Sequence, residues 1–188
     1  VEKSEQLRGD INVEELIANI DAKTQSWTEN LHKLITQLWG GEQASQLIKE
    51  YENGFSKSYR EQFSAKQAIS AITHFERLTE LSPFQFQIVR AAAERKNTLV
   101  LNIFTLEQSI ALSDSIPVLE NFDFRPLDEF SFKVIMANKA VSTNNLYSYT
   151  LEYPNSELDI EAIKAKLEHA LAQVWLGNIE NDGYNKLL

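Results

Sequence analysis

The chain of 188 residues contains no cysteine. This absence excludes disulfide bonds, thiolate-bound zinc and cysteine nucleophiles together. Basic residues are also scarce, since 18 lysines and arginines stand against 27 aspartates and glutamates, for a formal net charge of −9. Such a surface repels a phosphate backbone, and too few cations, Lys133 and Lys139, lie among the aromatic residues of the second half to form a single-strand binding surface. We therefore expect no nucleic-acid partner.

Long hydrophobic runs are missing as well. No stretch is long enough to span a bilayer, and the first ten residues, VEKSEQLRGD, lack the apolar centre of a secretory signal. The overall content of 43% hydrophobic and 24% charged residues is normal for a globular protein. We therefore predict a folded cytoplasmic protein with no membrane partner.

Proline is absent from the first 82 residues, and this part has the spacing of helices. Apolar residues four and three positions apart predict a first helix of about 40 Å that ends at Gly40–Gly41 and packs along another helix. Its seam is Val13, Ile17, Ile20, Thr24, Trp27, Leu31, Leu34 and Leu38. A second helix is predicted to carry Ala44, Leu47, Ile48 and Tyr51 and to end near Gly54. A third begins at Ser64, where Gln67 completes a capping box.

From Pro83 onward the pattern changes to alternation, which is typical of strands. Strands are predicted at 84–90, 99–103, 130–136 and 147–153, and residues Asn144–Asn145 are predicted to form a turn. One helix is predicted from Ser113, as N-cap, to Phe122. The last helix is predicted to begin between residues 156 and 159 and to end at Gly177.

The predicted fold class is α+β. A helical segment, residues 1–82, precedes an α+β domain, residues 83–188, with a four-stranded antiparallel sheet and two helices on one face. The order strand, strand, helix, strand, strand, helix is a shifted form of the ferredoxin-like βαββαβ pattern. The leading strand, 84–90, can then occupy the edge position that the last strand of that pattern normally fills.

The sequence contains no glycine-rich phosphate loop and no Gly-x-Ser-x-Gly turn. The three histidines, His32, His74 and His169, lie in predicted helices without a third ligand nearby, so we interpret them as surface or interface residues. Asp182–Gly183 is interpreted as a turn because a calcium loop needs more oxygen ligands. We predict no catalytic, cofactor-binding or metal-binding residue in this sequence.

Three segments, taken together, resemble one family. They are residues 51–65, YENGFSKSYREQFSA; residues 112–122, LSDSIPVLENF; and residues 174–187, VWLGNIENDGYNKL. Their order and content are similar to the large bacterial NAD-dependent glutamate dehydrogenases, in which such segments lie upstream of the catalytic region.

The resemblance implies a helical segment and an ACT-like domain, cut from an enzyme that deaminates L-glutamate to 2-oxoglutarate and ammonia while NAD accepts the hydride. NAD then belongs to the parent enzyme, and this fragment is expected to hold no cofactor. The implied partners are other domains or subunits of the parent in a homo-oligomer, together with an amino-acid effector. The first hypothesis is a non-catalytic regulatory or assembly fragment. The alternatives are a free-standing ACT-type amino-acid sensor and a small enzyme that uses an acid pair.

The resemblance also implies an effector loop, to which we assign Ser113, Asp114 and Asp123. Asp123 stands where amino-acid-binding ACT domains have a glycine, and residues 148–150, Ser-Tyr-Thr, replace an Asp-Phe-Gly-type run. The carboxylate of Asp123 would repel a ligand carboxylate and prevent a close approach. These departures favour assembly over amino-acid sensing.

Overall fold

The computed structural model describes residues 13–91, 97–137, 143–154 and 159–182, with side chains described from Ser26 onward. The elements run in chain order as α1 (Val13–Trp39), α2 (Gly41–Tyr51), α3 (Lys57–Gln62), α4 (Ala65–Phe75), β1 (Phe84–Arg90), β2 (Thr98–Leu106), α5 (Leu112–Asn121), β3 (Arg125–Ile135), β4 (Thr143–Glu152) and α6 (Ile160–Trp175). We call α1–α4 the helical segment and β1–α6 the sheet unit.

The helical segment follows its local sequence signals. Helix α1 ends before Gly40, whose φ of 63° lies in the left-handed region that glycine tolerates. The capping box of Ser64 and Gln67 is present at the start of α4, which confirms that prediction. Helix α3 was not expected, and it begins at Ser56, whose hydroxyl accepts a hydrogen bond from the Tyr59 N–H at 3.2 Å.

The predicted seam of α1 is only partly buried. Trp27 and Leu31 of the seam are buried, Leu34 is half-buried and Leu38 is 62% exposed. Ile35, which the predicted seam did not include, is buried in place of Leu34. The buried residues Trp27, Leu31 and Ile35 are four positions apart, which is close to the 3.6-residue period of an α-helix. The predicted seven-residue repeat does not continue to Leu38. The seam residues Val13, Ile17, Ile20 and Thr24 lie outside the described side chains.

The sheet has four antiparallel strands in the order β1-β2-β4-β3. Strand β1 therefore occupies the edge beside β2, as the shifted βαββαβ pattern predicts. Among the described residues, its outward-facing Ile88 N–H donates to the Glu168 carboxylate of α6 at 2.7 Å. The helix thus covers a backbone donor that an edge strand would otherwise expose.

The turn predicted at Asn144–Asn145 is wrong. Both residues lie inside β4, where they are buried and pair with Val134 of β3 and Thr105 of β2. The Asn145 side-chain amide donates to Thr105 Oγ1 at 3.3 Å and to the Gln108 carbonyl at 3.0 Å. These hydrogen bonds offset the free-energy cost of burying the amide. Strand pairing therefore overrides the preference of asparagine for turns.

The two faces of the sheet carry separate cores. Helices α5 and α6 cover one face, where Leu101 and Tyr149 are among the fully buried residues. The helical segment covers part of the other face, where Phe104 and Phe132 join the core of α1–α4. The α+β, ACT-like arrangement with two helices on one sheet face is confirmed. The division into domains at Pro83 stays a prediction.

The described part of the chain has no helix that is both long and apolar enough to cross a bilayer.

Candidate functional site

The first recognised segment, residues 51–65, forms an aromatic ladder. Tyr51, Phe55, Tyr59 and Phe63 follow one another at four-residue spacing, with ring centroids 6.3, 4.7 and 4.9 Å apart in turn. Phe132 of β3 meets the rings of Tyr59 and Phe63 edge-on at 5.2 and 5.4 Å. This motif therefore joins the helical segment to the sheet through packed aromatic rings.

Arg60 fixes the turn between α2 and α3. Its guanidinium donates to the carbonyls of Glu52 at 3.2 Å and Phe55 at 3.0 Å, and it lies 5.3 Å from the ring centroid of Trp27. Burial lowers the pKa of Arg60. The arginine of this motif thus uses its guanidinium donors to stabilise the turn through backbone carbonyls.

Gly54 brings this turn against β3. The Ile135 N–H donates to the Gly54 carbonyl at 3.1 Å, and a Cβ at Gly54 would lie 2.5 Å from the Ile135 carbonyl oxygen. Only glycine allows the two backbones to come this close.

The effector residues predicted near the start of α5 are exposed. Ser113 and Asp114 lie in its first turn, and the Ser113 hydroxyl donates to Asp114 Oδ1 at 3.3 Å. The prediction of Ser113 as N-cap is wrong, because Ala111 takes that position without a side-chain hydrogen bond. A buried residue of the first turns stabilises the start of α5 instead: the Ser115 hydroxyl lies 2.9 Å from the Tyr149 hydroxyl of β4.

Asp123 lies at the opposite end of α5. Its φ of 63° is left-handed, the conformation that glycine adopts most readily, and the residue borders a cavity of about 490 Å³. The cavity is also lined by Glu120 and by Glu152, which pairs with Arg125 at 3.4 Å. Three carboxylates make this cavity unfavourable for a ligand carboxylate.

The structure does not bring the three predicted effector residues together. Ser113 and Asp114 are separated from Asp123 by the ten-residue helix α5, which is about 15 Å long. One amino acid cannot contact both ends.

The connection from β2 to α5, residues 107–111, occupies the strand-to-helix position where dinucleotides bind in other folds. It contains no glycine, and the Ile110 N–H donates to the Tyr147 hydroxyl at 2.9 Å. A pyrophosphate needs a glycine-rich turn with free N–H groups at this position. The connection therefore does not fit NAD.

The histidines lie apart. His32 Nε2 is 3.7 Å from Glu52 Oε2, His74 stacks on Phe104 with ring centroids 4.6 Å apart, and His169 is exposed. Burial lowers the pKa of His74 to about 4, and the charges of Arg77 and Lys164 act in the same direction. Within the described ranges, no group of three potential ligands could hold a metal ion.

A second cavity, of about 440 Å³, lies between the helical segment and the sheet and was not predicted from the sequence. We call it the segment–sheet groove. Strand residues Gln87, Asn102 and Ser148 form its floor, since the register aligns them in one row across β1, β2 and β4. In the sequence, these three residues are visible as polar residues at alternate positions of the strands. The opposite wall comes from α3 and α4, so no local pattern could reveal the cavity.

Two family models match adjacent parts of the chain. Residues 34–78 match the model described as glutamate dehydrogenase, helical motif 2, and residues 83–163 match the model described as glutamate dehydrogenase, ACT3 domain. Together these ranges span more than half of the chain.

Two curated relatives are similar along most of the chain. The NAD-specific glutamate dehydrogenase of Halomonas elongata is 27% identical over 165 residues, 87% of this chain and 10% of the relative. The NAD-specific glutamate dehydrogenase of Pseudomonas aeruginosa is 25% identical over 181 residues, 96% of this chain and 11% of the relative. The chain thus spans about a tenth of the length of these relatives.

Proposed function

We propose that this chain, which belongs to the family of NAD-specific glutamate dehydrogenases, is a non-catalytic regulatory and assembly unit of such an enzyme. Its helical motif 2 and ACT3 domain follow one another in the chain. In the proposed parent, L-glutamate is oxidised to 2-oxoglutarate and ammonia in the cytoplasm. NAD accepts the hydride in a part of the enzyme outside these residues.

One observation carries the proposal: the two parts share a core. Phe104, Phe132 and Leu146 project from the sheet into the core formed by α1–α4. Because the core is closely packed, the two parts move together. A unit that transmits a change of position from one domain to another needs this rigidity.

The outer edge of β3 is the surface that we propose for contacts with other domains or subunits. Strand β3 pairs with β4 along Arg125–Ile135, and in the described part of the chain the other side has one isolated bridge, between Phe55 and Val134. The turn at Gly54 covers the Val134–Ile135 end of this edge, because the Ile135 N–H donates to the Gly54 carbonyl. Along residues 125–133, this side of β3 has no backbone hydrogen bond to another described segment, and Leu127 is 38% exposed. Such an edge with an exposed apolar residue is suited to pairing in a homo-oligomer.

Deletion and add-back test the proposal. We expect the parent enzyme without these residues to lose oligomeric assembly and glutamate-dependent NADH formation, and we expect the separately purified chain to restore both. Phe132→Ala in the added chain should restore little, because it opens the shared core. Lys166→Gln, a substitution of an exposed residue of α6 away from β3, should restore as much as the unaltered chain.

Two results would contradict this function. The first is a truncated enzyme that assembles and turns over like the intact one. The second is NADH formation at 340 nm when the chain alone is mixed with L-glutamate and NAD.

A further inference from the structure

We propose that the segment–sheet groove binds a small carboxylic acid that has an apolar side chain, an oxygen atom at C2 and no amino group. The volume of the groove, about 440 Å³, is within the range of small-molecule pockets. The groove lies on the face of the sheet opposite to α5, so it is distinct from the predicted effector residues.

Helix α4 and strand β1 run in step along the groove, in opposite directions. Ser70 of α4 accepts a hydrogen bond from the Gln87 amide of β1 at 2.7 Å. One turn later in α4, His74 stacks on Phe104, whose register partner is Gln85, two residues before Gln87. A helical turn rises about 5.4 Å and two strand residues rise about 6.6 Å, so one turn of α4 corresponds to one row of the sheet.

This correspondence places a cation over the outer row of the groove. Lys66 lies one turn before Ser70, so it lies over the row of the sheet that follows Gln87. That row consists of Val89, Val100 and Thr150. Lys66 forms no ion pair with a carboxylate in the described part of the chain. An unpaired ammonium group beside apolar side chains is suited to the carboxylate of an otherwise apolar acid.

The groove offers no negative charge to a ligand. Although the chain has a formal net charge of −9, no aspartate or glutamate is among the described residues that line the groove. Arg90 contributes only backbone, because its side chain shares the opposite face of the sheet with its register partner Leu99. Asp128, the register partner of Thr150, lies outside the lining, and its Oδ1 accepts the Glu129 N–H at 2.9 Å. The ammonium group of an amino acid would therefore lie near Lys66 without a counter-charge, which disfavours an amino acid as ligand.

Ser148 supplies a hydroxyl group at the floor of the groove. The residue is only 4% exposed, and its hydroxyl has no hydrogen-bond partner among the described residues. Asn102 Oδ1, in the same row, is closed off from solvent, whereas Ser148 Oγ is not among the enclosed atoms that lack a partner. A buried hydroxyl that can be reached from the groove and is not paired within the fold gains a hydrogen bond when it donates to a ligand oxygen.

Apolar side chains form the rest of the recognition surface. Phe63 and Phe130, whose ring centroids are 6.3 Å apart, border the groove, and Val89 is 40% exposed beside it. A short branched carbon chain would cover these side chains and remove them from water. In the proposed complex the carboxylate contacts Lys66, the C2 oxygen accepts from Ser148, and the carbon chain lies against the apolar side chains.

Calorimetric titration of the full chain with 4-methyl-2-oxopentanoate tests the proposal. We expect a dissociation constant below about 1 mM. Two probes of matched shape isolate the recognised groups. 4-Methylpentanoate lacks the C2 oxygen and should bind at least about fivefold more weakly. L-Leucine has an ammonium group in place of this oxygen and should bind at least about tenfold more weakly.

Substitutions locate the site. Lys66→Gln should weaken the 2-oxo acid at least about tenfold, whereas Lys166→Gln, which removes an exposed lysine of α6, should leave its affinity unchanged. Ser148→Ala should reduce the affinity for the 2-oxo acid to that for 4-methylpentanoate and leave the latter unchanged, because only the C2 oxygen loses a partner. The side-chain amide signals of Gln87 in ¹H–¹⁵N spectra should shift with the 2-oxo acid, and these spectra also report whether each variant is folded.

Four results would overturn the proposal. They are no heat with the 2-oxo acid at roughly 10 mM, equal affinity for the 2-oxo acid and L-leucine, equal weakening by Lys66→Gln and Lys166→Gln, and an undiminished preference for the 2-oxo acid over 4-methylpentanoate in Ser148→Ala. The titrations use the chain alone and leave the add-back result for the parent enzyme unaffected, so failure here and failure of the assembly role are distinguishable.

Discussion

Asp123 shows how a single backbone angle limits a functional interpretation. The family resemblance implies a glycine at this position, and Asp123 has a φ of 63°. Asp123 therefore adopts the left-handed conformation that a glycine adopts without steric cost. Its neighbours Glu120 and Glu152 give the cavity the wrong charge for an amino-acid carboxylate.

Asp123→Gly should stabilise the chain. Glycine adopts the left-handed conformation without the steric cost that a Cβ imposes, so we expect a gain of about 0.5–1 kcal/mol in the free energy of unfolding. Urea denaturation measures the change. Asp128→Gly in strand β3 is the control, and it should destabilise the chain because its backbone is extended. A loss of stability in Asp123→Gly would contradict the explanation.

His74 should make stability depend on pH in one direction. Its pKa is about 4 in the folded chain, lowered first by burial and then by Arg77 and Lys164, and it is near 6.5 in the unfolded chain. As the pH falls from 6.5 to 4, the unfolded chain binds a proton that the folded chain does not, so stability falls. Above pH 6.5 neither state is protonated and the effect vanishes.

Between pH 7 and pH 4, we expect the free energy of unfolding of the unaltered chain to fall by about 1–2 kcal/mol more than that of His74→Phe. This amount is smaller than the full pKa difference implies, because solvent screens the partly exposed ring. Phenylalanine keeps the stacking on Phe104. His169→Gln changes an exposed histidine and should retain the pH dependence of the unaltered chain. Equal pH dependence in His74→Phe and the unaltered chain would show that His74 is not the group responsible.

At the scale of the element, Glu168 protects the edge of the sheet. Its carboxylate accepts the Ile88 N–H, which no strand pairs. Glu168→Leu should destabilise the chain by about 1–2 kcal/mol and cause self-association through β1, because the donor becomes available to another chain.

Glu168→Gln retains an acceptor and should sediment like the unaltered chain in the same assay. Sedimentation velocity over a hundredfold range of concentration distinguishes the two variants. The explanation fails if both variants sediment alike.

Elements with a strong local signal were predictable, and those that depend on tertiary contacts were not. Periodicity and capping located α1, α4, α6 and the four strands, and chain order gave the edge position of β1. Helix α3 was missed because its six residues, KSYREQ, have no apolar period and are stabilised by the packing of Tyr59. Asn144 and Asn145 were assigned to a turn because their burial is visible only when β2, β3 and β4 are assembled.

The candidate site was less predictable than the fold. Ser113, Asp114 and Asp123 were chosen from a resemblance, and the structure separates them by the length of α5. The segment–sheet groove combines Lys66 of α4 with Gln87 and Asn102 of the sheet, and this combination follows only from the way α4 lies on the sheet. Sequence distance hides such a site because no spacing rule connects its walls.

At the scale of the whole molecule, the sheet is one structural element with two cores. Neighbouring residues of β2 point to opposite faces, so that Phe104 belongs to the core of the helical segment and Ile103 to the core under α5 and α6. The same holds for Leu146 and Tyr147 in β4. Loss of either core therefore removes half of the burial that holds these strands.

The two cores should unfold together. Trp27 reports on the core of the helical segment, and Trp175 reports on the opposite core, where it packs 5.6 Å from the ring of Phe86. Two variants each retain one of these tryptophans and carry phenylalanine at the other and at Trp39. Within each variant, the urea midpoint by fluorescence should coincide with the midpoint by far-UV circular dichroism, because the shared strands couple the cores. Adding Phe132→Ala should lower both midpoints of a variant together. A Trp27 midpoint below the circular-dichroism midpoint of the same variant would instead identify the helical segment as an independent domain, and the rigid coupling on which the assembly role depends would be lost.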